Sequence, residues 1–282
     1  MDKHHQLLLY FTCACICAYN CLFAFPPAPY HTIFGIVRDQ VGQTVTAQNA
    51  EVILLKDGVE VGRVPIASGY QLDQNYELRI RLDQVRVGTA LYSSKAIETG
   101  GQFSLAVSMN GALFYPIEVS GTLTAGSGAE RERLDLTLGS DNDLDGLPDV
   151  WEEWQLYQAG HYPGANGWDL SLINAQGDLD GDGQSNRFEY IAGTFAGDAT
   201  EIFGLEIKEK TGSAVRLEFY GITGKTYTIE STTDMATWSR VDFATSPAGT
   251  ADIGHFANRV GLVSAYVNAE SANKKFYRLT VR

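Results

Sequence analysis

The stretch "SDNDLDGLPDVWEEW", Ser140–Trp154, decides how the chain is organised, because it places four aspartates within nine residues and then turns apolar. At neutral pH these carboxylates repel one another, and neither burial nor helix formation favours their crowding. A bound cation would offset the repulsion, whereas without a cation the stretch would be a solvated acidic loop. The spacing of the oxygen atoms favours the cation.

That spacing matches an EF-hand calcium loop, which uses side-chain oxygens at positions 1, 3, 5 and 9, a backbone carbonyl at 7 and a two-oxygen Glu at 12. Glycine at position 6 permits the sharp turn, and Gly146 and Gly183 stand there. The second copy, "DLDGDGQSNRFE", begins 37 residues after the first. The predicted ligands are Asp141, Asp143, Asp145, Leu147, Asp149 and Glu152 in the first loop, and Asp178, Asp180, Asp182, Gln184, Asn186 and Glu189 in the second. Leu147 and Gln184 would bind through their backbone carbonyls.

The residue types favour calcium as the ion. Seven oxygens that include a bidentate Glu suit the large, flexible shell of Ca²⁺ better than that of Mg²⁺. Neither loop contains the His or Cys ligands that zinc prefers. The ligands carry five carboxylates in the first loop and four in the second, so two Ca²⁺ ions would neutralise about half of this charge. We therefore predict two bound Ca²⁺ ions.

The bulk composition fits this prediction. The 282 residues are 44% hydrophobic and 20% charged, which is typical of a globular protein of two or three domains. The formal net charge of −13 argues against nucleic acid and anionic membrane surfaces as partners, and it suits a protein that attracts cations.

The first 24 residues are typical of a secretory signal peptide. Lys3 precedes an apolar run from Leu7 to Tyr19, and Ala18 or Ala24 would mark the cleavage site. All four cysteines lie within the first 21 residues, so cleavage would leave a secreted or cell-surface protein that needs metal rather than disulfides to hold its loops. No membrane insertion is expected after cleavage; the competing interpretation is an uncleaved membrane anchor.

The flanking regions have the patterns of strands. "YELRIRL" alternates apolar and polar residues from Tyr76 to Leu82, which is the period of a strand with one buried face. Segments such as "KTYTIEST" and "KFYRLTVR" show that strands return near the C-terminus. The predicted fold is mainly β: two β-sandwich-like domains, at 30–139 and 203–282, joined by a small calcium-binding loop-helix segment at 140–197.

Each predicted calcium loop runs into a short helix with apolar residues at helical spacing. These residues are expected to be core, and they would dock the loops against each other or against the sheets. They are Val150, Trp154 and Tyr157, with Trp151 beside them, in the first helix and Phe188, Ile191 and Phe195 in the second.

The acidic middle resembles the aspartate-rich calcium repeats, of thrombospondin type 3 or EF-hand style, of bacterial secreted proteins. The residues that carry this resemblance are "DNDLDGLPDVWEEW" and "DLDGDGQSNRFEYIAGT". "YTIESTTDMATW", with "FYRLTV" near the end, is similar to the β-rich module that often follows such repeats. The N-terminal domain is similar to carboxypeptidase-regulatory or prealbumin-like sandwiches only in its general pattern. The resemblance implies an extracellular, calcium-stabilised architecture.

Four features depart from calcium sensors or from dockerins. Position 8 of each loop, usually aliphatic in paired EF-hands, is Pro148 or Ser185, and a strand pattern rather than a helix precedes the first loop. A calcium-driven opening of paired helices is therefore not expected. Dockerins usually have Asp at position 12 and repeats closer than these, which makes a dockerin role a less favoured alternative.

No sequence pattern points to catalysis. The chain lacks the G-x-S-x-G, H-E-x-x-H and P-loop patterns, and its loop carboxylates are assigned to metal. We predict that the protein is not an enzyme but a secreted calcium-binding structural or adhesion-type modular protein, whose partner is an unidentified cell-surface or matrix component, either protein or glycan. The alternative is a carbohydrate-binding or other accessory module of an extracellular polysaccharide-degrading system, because four Trp and 14 Tyr could supply a sugar-stacking platform.

Overall fold

The computed structural model describes residues 28–67, 72–83, 91–119, 121–269 and 274–282. The predicted signal peptide, residues 1–24, and the competing membrane anchor lie outside these residues. Within the described ranges, no helix has both the length and the apolar character needed to cross a membrane.

The fold is mainly β, as predicted. In the N-terminal part the strands are β1 (His31–Gly35), β2 (Val37–Arg38), β3 (Ala50–Lys56), β4 (Val59–Pro65), β5 (Tyr76–Ile80), β6 (Leu82–Asp83), β7 (Ile97–Glu98), β8 (Gln102–Met109), β9 (Ala112–Phe114), β10 (Leu123–Thr124), β11 (Arg131–Arg133) and β12 (Leu136–Thr137). A 3₁₀ turn spans Ile117–Val119.

Two sheets of this part face each other across one hydrophobic core. The first has the order β11-β1-β5, and the second has the order β10-β8-β3-β4, with β9 also paired to β8. The alternation predicted for "YELRIRL" is confirmed: Tyr76, Leu78, Ile80 and Leu82 are buried, whereas Arg79 is exposed. These side chains meet residues of β3 and β8 from the other sheet in the same core.

The C-terminal part is a second pair of sheets. Its strands are β13 (Glu206–Thr211), β14 (Ala214–Gly221), β15 (Thr226–Thr232), β16 (Ser239–Val241), β17 (His255–Phe256), β18 (Gly261–Asn268) and β19 (Phe276–Val281). One sheet has the order β13-β14-β18, and in the other β15 pairs with β16, β17 and β19. Leu217 and Phe219 of the first sheet pack in one core with Tyr227 and Ile229 of the second.

The middle segment holds two helices, α1 (Asp149–Gln158) and α2 (Asn186–Ala192), and a 3₁₀ turn at Leu170–Leu172. It has a core of its own, to which α1 contributes Trp151 and α2 contributes Tyr190. The rings of these two residues meet edge to face with centroids 5.5 Å apart. Because α2 also places Ala192 in the C-terminal core, the middle segment is packed into the fold and is not a loose linker.

The prediction that Val150, Trp154 and Tyr157 form the buried face of α1 is wrong, whereas Trp151 is buried as predicted. Val150, Trp154 and Tyr157 are 42%, 41% and 55% exposed, and the buried residues of α1 include Trp151 and Glu152. The apolar periodicity predicted the wrong face because Glu152 points inward, toward the acidic loop. The face of α1 that carries Glu152 is therefore the buried one. The partly exposed Trp154 is covered on one side by the ring of Phe195, at 4.9 Å between centroids. In α2, Phe188 and Ile191 are partly buried against the C-terminal core.

The three parts meet at one place, which we call the three-way junction. Tyr190 of α2 donates a hydrogen bond from its hydroxyl to the carbonyl of Asp39 (2.9 Å), and Lys225 donates from Nζ to the carbonyls of Gly42 (2.7 Å) and Tyr190 (3.5 Å). Lys225 is completely buried. Its pKa is lowered to about 7, first by burial and then by the charge of Arg38. A lysine thus links a turn before β3, a helix and a turn before β15.

The burial of Lys225 predicts a pH-dependent contribution to stability. Because the lysine has a pKa near 10.4 when unfolded, the unfolded chain binds more protons than the folded one between about pH 7 and pH 10. The free energy of unfolding should therefore rise with pH in this window. Relative to Lys225→Met, the wild-type value should rise by roughly 2 kcal/mol between about pH 7 and pH 9 in urea unfolding.

The matched control is Lys210→Met, which removes an exposed lysine from edge strand β13. Its difference from the wild type should stay constant over the same pH range. A constant difference for Lys225→Met as well would mean that this lysine stays charged at the junction.

Candidate metal centre

In the first acidic loop the backbone wraps around the carboxylates. The carboxylate of Asp141 accepts hydrogen bonds from the N–H groups of Asp145 (3.2 Å) and Gly146 (3.0 Å), and Asp145 Oδ1 accepts from the N–H of Leu147 (2.7 Å). Gly146 has a φ of +95°, a conformation that residues with a Cβ rarely adopt. The sharp turn predicted at position 6 is therefore present.

The second loop repeats two of these three contacts with an offset of 37 residues. The carboxylate of Asp178 accepts from the N–H of Gly183 (2.9 Å), and Asp182 Oδ1 accepts from the N–H of Gln184 (2.7 Å). Gly183 also has a φ of +95°. Two segments with different sequences therefore share the turn at position 6 and the hydrogen bonds around it, because they share the positions of Asp and Gly.

The carboxylates converge in each loop. Asp141, Asp143 and Asp145 bring one oxygen each within 4.8 Å of one another, and Asp178, Asp180 and Asp182 do the same. Glu152 and Glu189, at position 12, are completely buried. Among the described residues, neither carboxylate oxygen of either Glu has a hydrogen-bond partner. A buried, unpartnered carboxylate is costly unless it is protonated or meets a cation.

The electrostatics of both glutamates are set by burial and by their own loops. Burial, followed by the charges of Asp145 and Asp143, raises the pKa of Glu152 to about 9. Burial, followed by the charges of Asp180 and Asp182, raises the pKa of Glu189 to about 8. The nearby hydroxyl of Thr194 offsets a small part of this increase in the pKa of Glu189, although the two groups do not meet the geometry of a hydrogen bond. Each Glu therefore faces a set of like charges.

The residues at position 9 close the loops. Both oxygens of Asp149 accept hydrogen bonds from Asn142, from its backbone N–H (2.8 Å) and its side-chain amide (2.6 Å). Asn186 accepts from the N–H of Leu179 (3.0 Å) and donates to the carbonyl of Asn174 (2.7 Å). This arrangement suits position 9 of an EF-hand loop, which commonly reaches the ion through water.

The two loops are joined through residues other than position 8. Asp145 Oδ2 accepts from the N–H of Ala175 (2.5 Å), and Arg187 Nη1 donates to the carbonyl of Gly146 (3.0 Å). At position 8, Pro148 and Ser185 precede the helices instead, and the Ser185 hydroxyl caps α2 by accepting from the N–H of Phe188. Both of the expected kinds of contact are present: the loops contact each other, and α2 contacts the C-terminal core.

Sequence reasoning missed two residues of this region. Gln155 is completely buried on α1, and neither atom of its amide has a hydrogen-bond partner among the described residues. Its position three residues after Glu152 would have placed it on the same helix face. Arg187 carries no signal of its own in the sequence, because its contact with Gly146 depends on how the two loops pack.

Comparisons with protein-family models, with curated proteins and with solved structures found no match for this chain. The resemblance to bacterial calcium repeats therefore stays a prediction.

The conformation at position 6 predicts the effect of a single methyl group. Gly183→Ala should lower the free energy of unfolding by about 1–3 kcal/mol, because the φ of +95° is strained for any residue with a Cβ. Nothing lies within 4 Å of the added Cβ, so the loss would report the backbone alone.

The control is Gly204→Ala, which also adds a methyl group in open space but at a glycine whose φ is not positive. Thermal unfolding should show little change or a small gain for this variant. Equal losses for the two variants would argue against the loop conformation described above.

Proposed function

We propose that the protein binds two Ca²⁺ ions, at residues 141–152 and 178–189, and that these ions fold and stiffen the segment between the two β-sandwich-like parts. The observation that carries the proposal is the pair of completely buried, unpartnered glutamates, each facing the aspartates of its own loop. A cation inside each loop would supply the missing partner for Glu152 and Glu189 and would offset the repulsion among the aspartates.

Calcium suits the donor set better than other common ions. Each loop offers the carboxylates of three aspartates and a buried Glu, with Leu147 or Gln184 available through the backbone. Magnesium demands near-ideal octahedral geometry and gives up its water reluctantly, whereas calcium accepts six to eight oxygens. Sites of this kind on extracellular modules have dissociation constants of about 10⁻⁴–10⁻³ M, which gives an occupancy of roughly half to nine tenths at about 1 mM free calcium.

The contacts of the two helices support a structural role for the ions. Glu152 and Glu189 are adjacent in sequence to Trp151 and Tyr190, which form the core of the middle segment. Tyr190 in turn contacts the N-terminal part and accepts from Lys225 of the C-terminal part. Ion binding would therefore fix the relative placement of the two β parts, as expected of a secreted structural or adhesion-type protein rather than a calcium sensor or an enzyme.

The tryptophans lend no support to the alternative, a sugar-binding module built on a tryptophan platform. Trp151 is buried in the middle core, and the ring of Trp238 is covered by the guanidinium of Arg278 at 4.4 Å. Trp154 is packed against Phe195. Trp168 is partly buried against the middle core. The four tryptophans are thus not a row of free rings, and a glycan partner would need another surface.

Calcium should stabilise the protein and magnesium should not. When the free Ca²⁺ concentration exceeds the dissociation constant about tenfold, two sites would add roughly 3 kcal/mol to the free energy of unfolding. Isothermal titration calorimetry should give a stoichiometry of two. Equal stability in calcium and in chelator would remove the proposal.

Glu152→Gln should have opposite effects with and without calcium. In chelator the variant should be as stable as the wild type or more stable, because it removes a carboxyl group whose charge is disfavoured by burial and by the neighbouring aspartates. In calcium it should bind one of the two ions at least about tenfold more weakly, since it loses an ion ligand.

Glu153→Gln is the matched control, because Glu153 is the next residue of the same helix and is half-buried. It should change neither the stability in chelator nor the calcium affinity. If Glu152→Gln behaved in the same way, Glu152 would not be a ligand.

A further inference from the structure

A cleft of about 430 Å³ opens in the C-terminal part, between β17, the turn that follows it and the start of β18. Polar side chains dominate its lining, and they come from Thr245, His255, Asn258, Arg259 and Ser264. Leu262, which is 66% exposed, forms its apolar edge. The cleft is far in sequence from the acidic loops, and the calcium proposal makes no use of it.

The charge of this cleft is unlike that of the rest of the protein. The chain has a formal net charge of −13, yet no acidic residue lines the cleft. Two other arginines of the C-terminal part, Arg216 and Arg278, form ion pairs with carboxylates. Arg259 has no ion pair and no side-chain hydrogen bond with any residue that the structure describes. Its guanidinium, with five donors in a fork, is therefore free to bind an oxyanion.

The neighbouring groups add donors without adding negative charge. Burial lowers the pKa of His255, so its ring is neutral at pH 7 and offers one N–H. Asn258 and Thr245 are exposed and can hydrogen-bond a ligand. Ser264 adds no donor, because its hydroxyl proton is donated to Glu218 (3.2 Å), whose charge is already offset by Arg216 and Lys208.

An exposed aromatic residue lies beside the apolar edge of the cleft. Tyr220 on β14 lies directly opposite Leu262 on β18 in the antiparallel register, and the two side chains are 59% and 66% exposed. Residues opposed in this way have their Cβ atoms about 5 Å apart on one face of the sheet. A ring of a ligand held at Arg259 would find a flat apolar surface beside it, which suits a ligand larger than a free inorganic anion.

We propose that this cleft binds an acidic polysaccharide, through a carboxylate or sulfate group held by Arg259 and a sugar ring packed on Leu262 and Tyr220. Asn258 and Thr245 would hydrogen-bond the sugar hydroxyls. The shared chemistry is an oxyanion on a polyhydroxylated chain. This assigns a ligand class to the partner that the calcium proposal leaves open, and it does not depend on the ions.

The test is calorimetric titration of the full protein with four probes at constant calcium: trigalacturonate, a sulfated dextran oligomer, the neutral dextran oligomer of the same length, and sodium sulfate. At least one charged oligosaccharide should bind, more weakly as salt is added. The neutral oligomer and sodium sulfate should bind at least about tenfold more weakly, because each lacks half of the interaction. The two charged probes distinguish a carboxylate ligand from a sulfate ligand.

Three variants make the test specific. Arg259→Gln should weaken binding of the charged oligosaccharide about tenfold or more. Tyr220→Ala should weaken binding of the oligosaccharide while leaving that of sodium sulfate unchanged. Arg81→Gln, which removes the same charge from an exposed arginine of the N-terminal part, should change neither. The proposal fails if no charged probe binds, if the neutral oligomer binds equally well, or if Arg81→Gln loses as much affinity as Arg259→Gln.

Discussion

The burial of two carboxylates against like charges is the constraint on which the middle of this protein depends. Glu152 and Glu189 are completely buried, have no hydrogen-bond partner among the described residues, and face the aspartates of their own loops. No arrangement of apolar side chains can compensate for such a site, because the cost is electrostatic. The proposed calcium ions satisfy this constraint, and the rotation of α1, which turns Trp151 inward together with Glu152, is a consequence of it.

Hydrogen bonds and ring contacts connect the loops with the rest of the molecule. Asp145 accepts a hydrogen bond from the backbone of Ala175, just before the second loop, and Arg187 of the second loop donates to the carbonyl of Gly146 in the first. Tyr190 and Lys225 extend this network to both β parts. The middle segment is therefore the place where three hydrophobic cores are held together, although it contains few regular elements of its own.

The sequence predicted features that depend on local spacing. The alternation from Tyr76 to Leu82 and the shared positions of Asp and Gly in the loops both correspond to what the structure contains. The buried face of α1 was mispredicted because apolar periodicity places Val150 and Tyr157 inside, whereas in the structure the charged Glu152 is buried and these two residues are exposed. Lys225 and Arg259 could not be found from spacing, because the burial of one and the isolation of the other arise only when distant segments pack.

The two acidic loops differ in how they are linked to the β parts, although several of their internal contacts repeat. The reason is that Glu189 and Tyr190 are neighbours on α2. Any shift of Glu189 along the helix axis moves the carbonyl that accepts from Lys225 and the hydroxyl that reaches Asp39. The seven-residue helix α2 thus connects the second loop with both β parts. A displacement of the second loop would therefore reach the N-terminal part through Asp39 and the C-terminal part through Lys225.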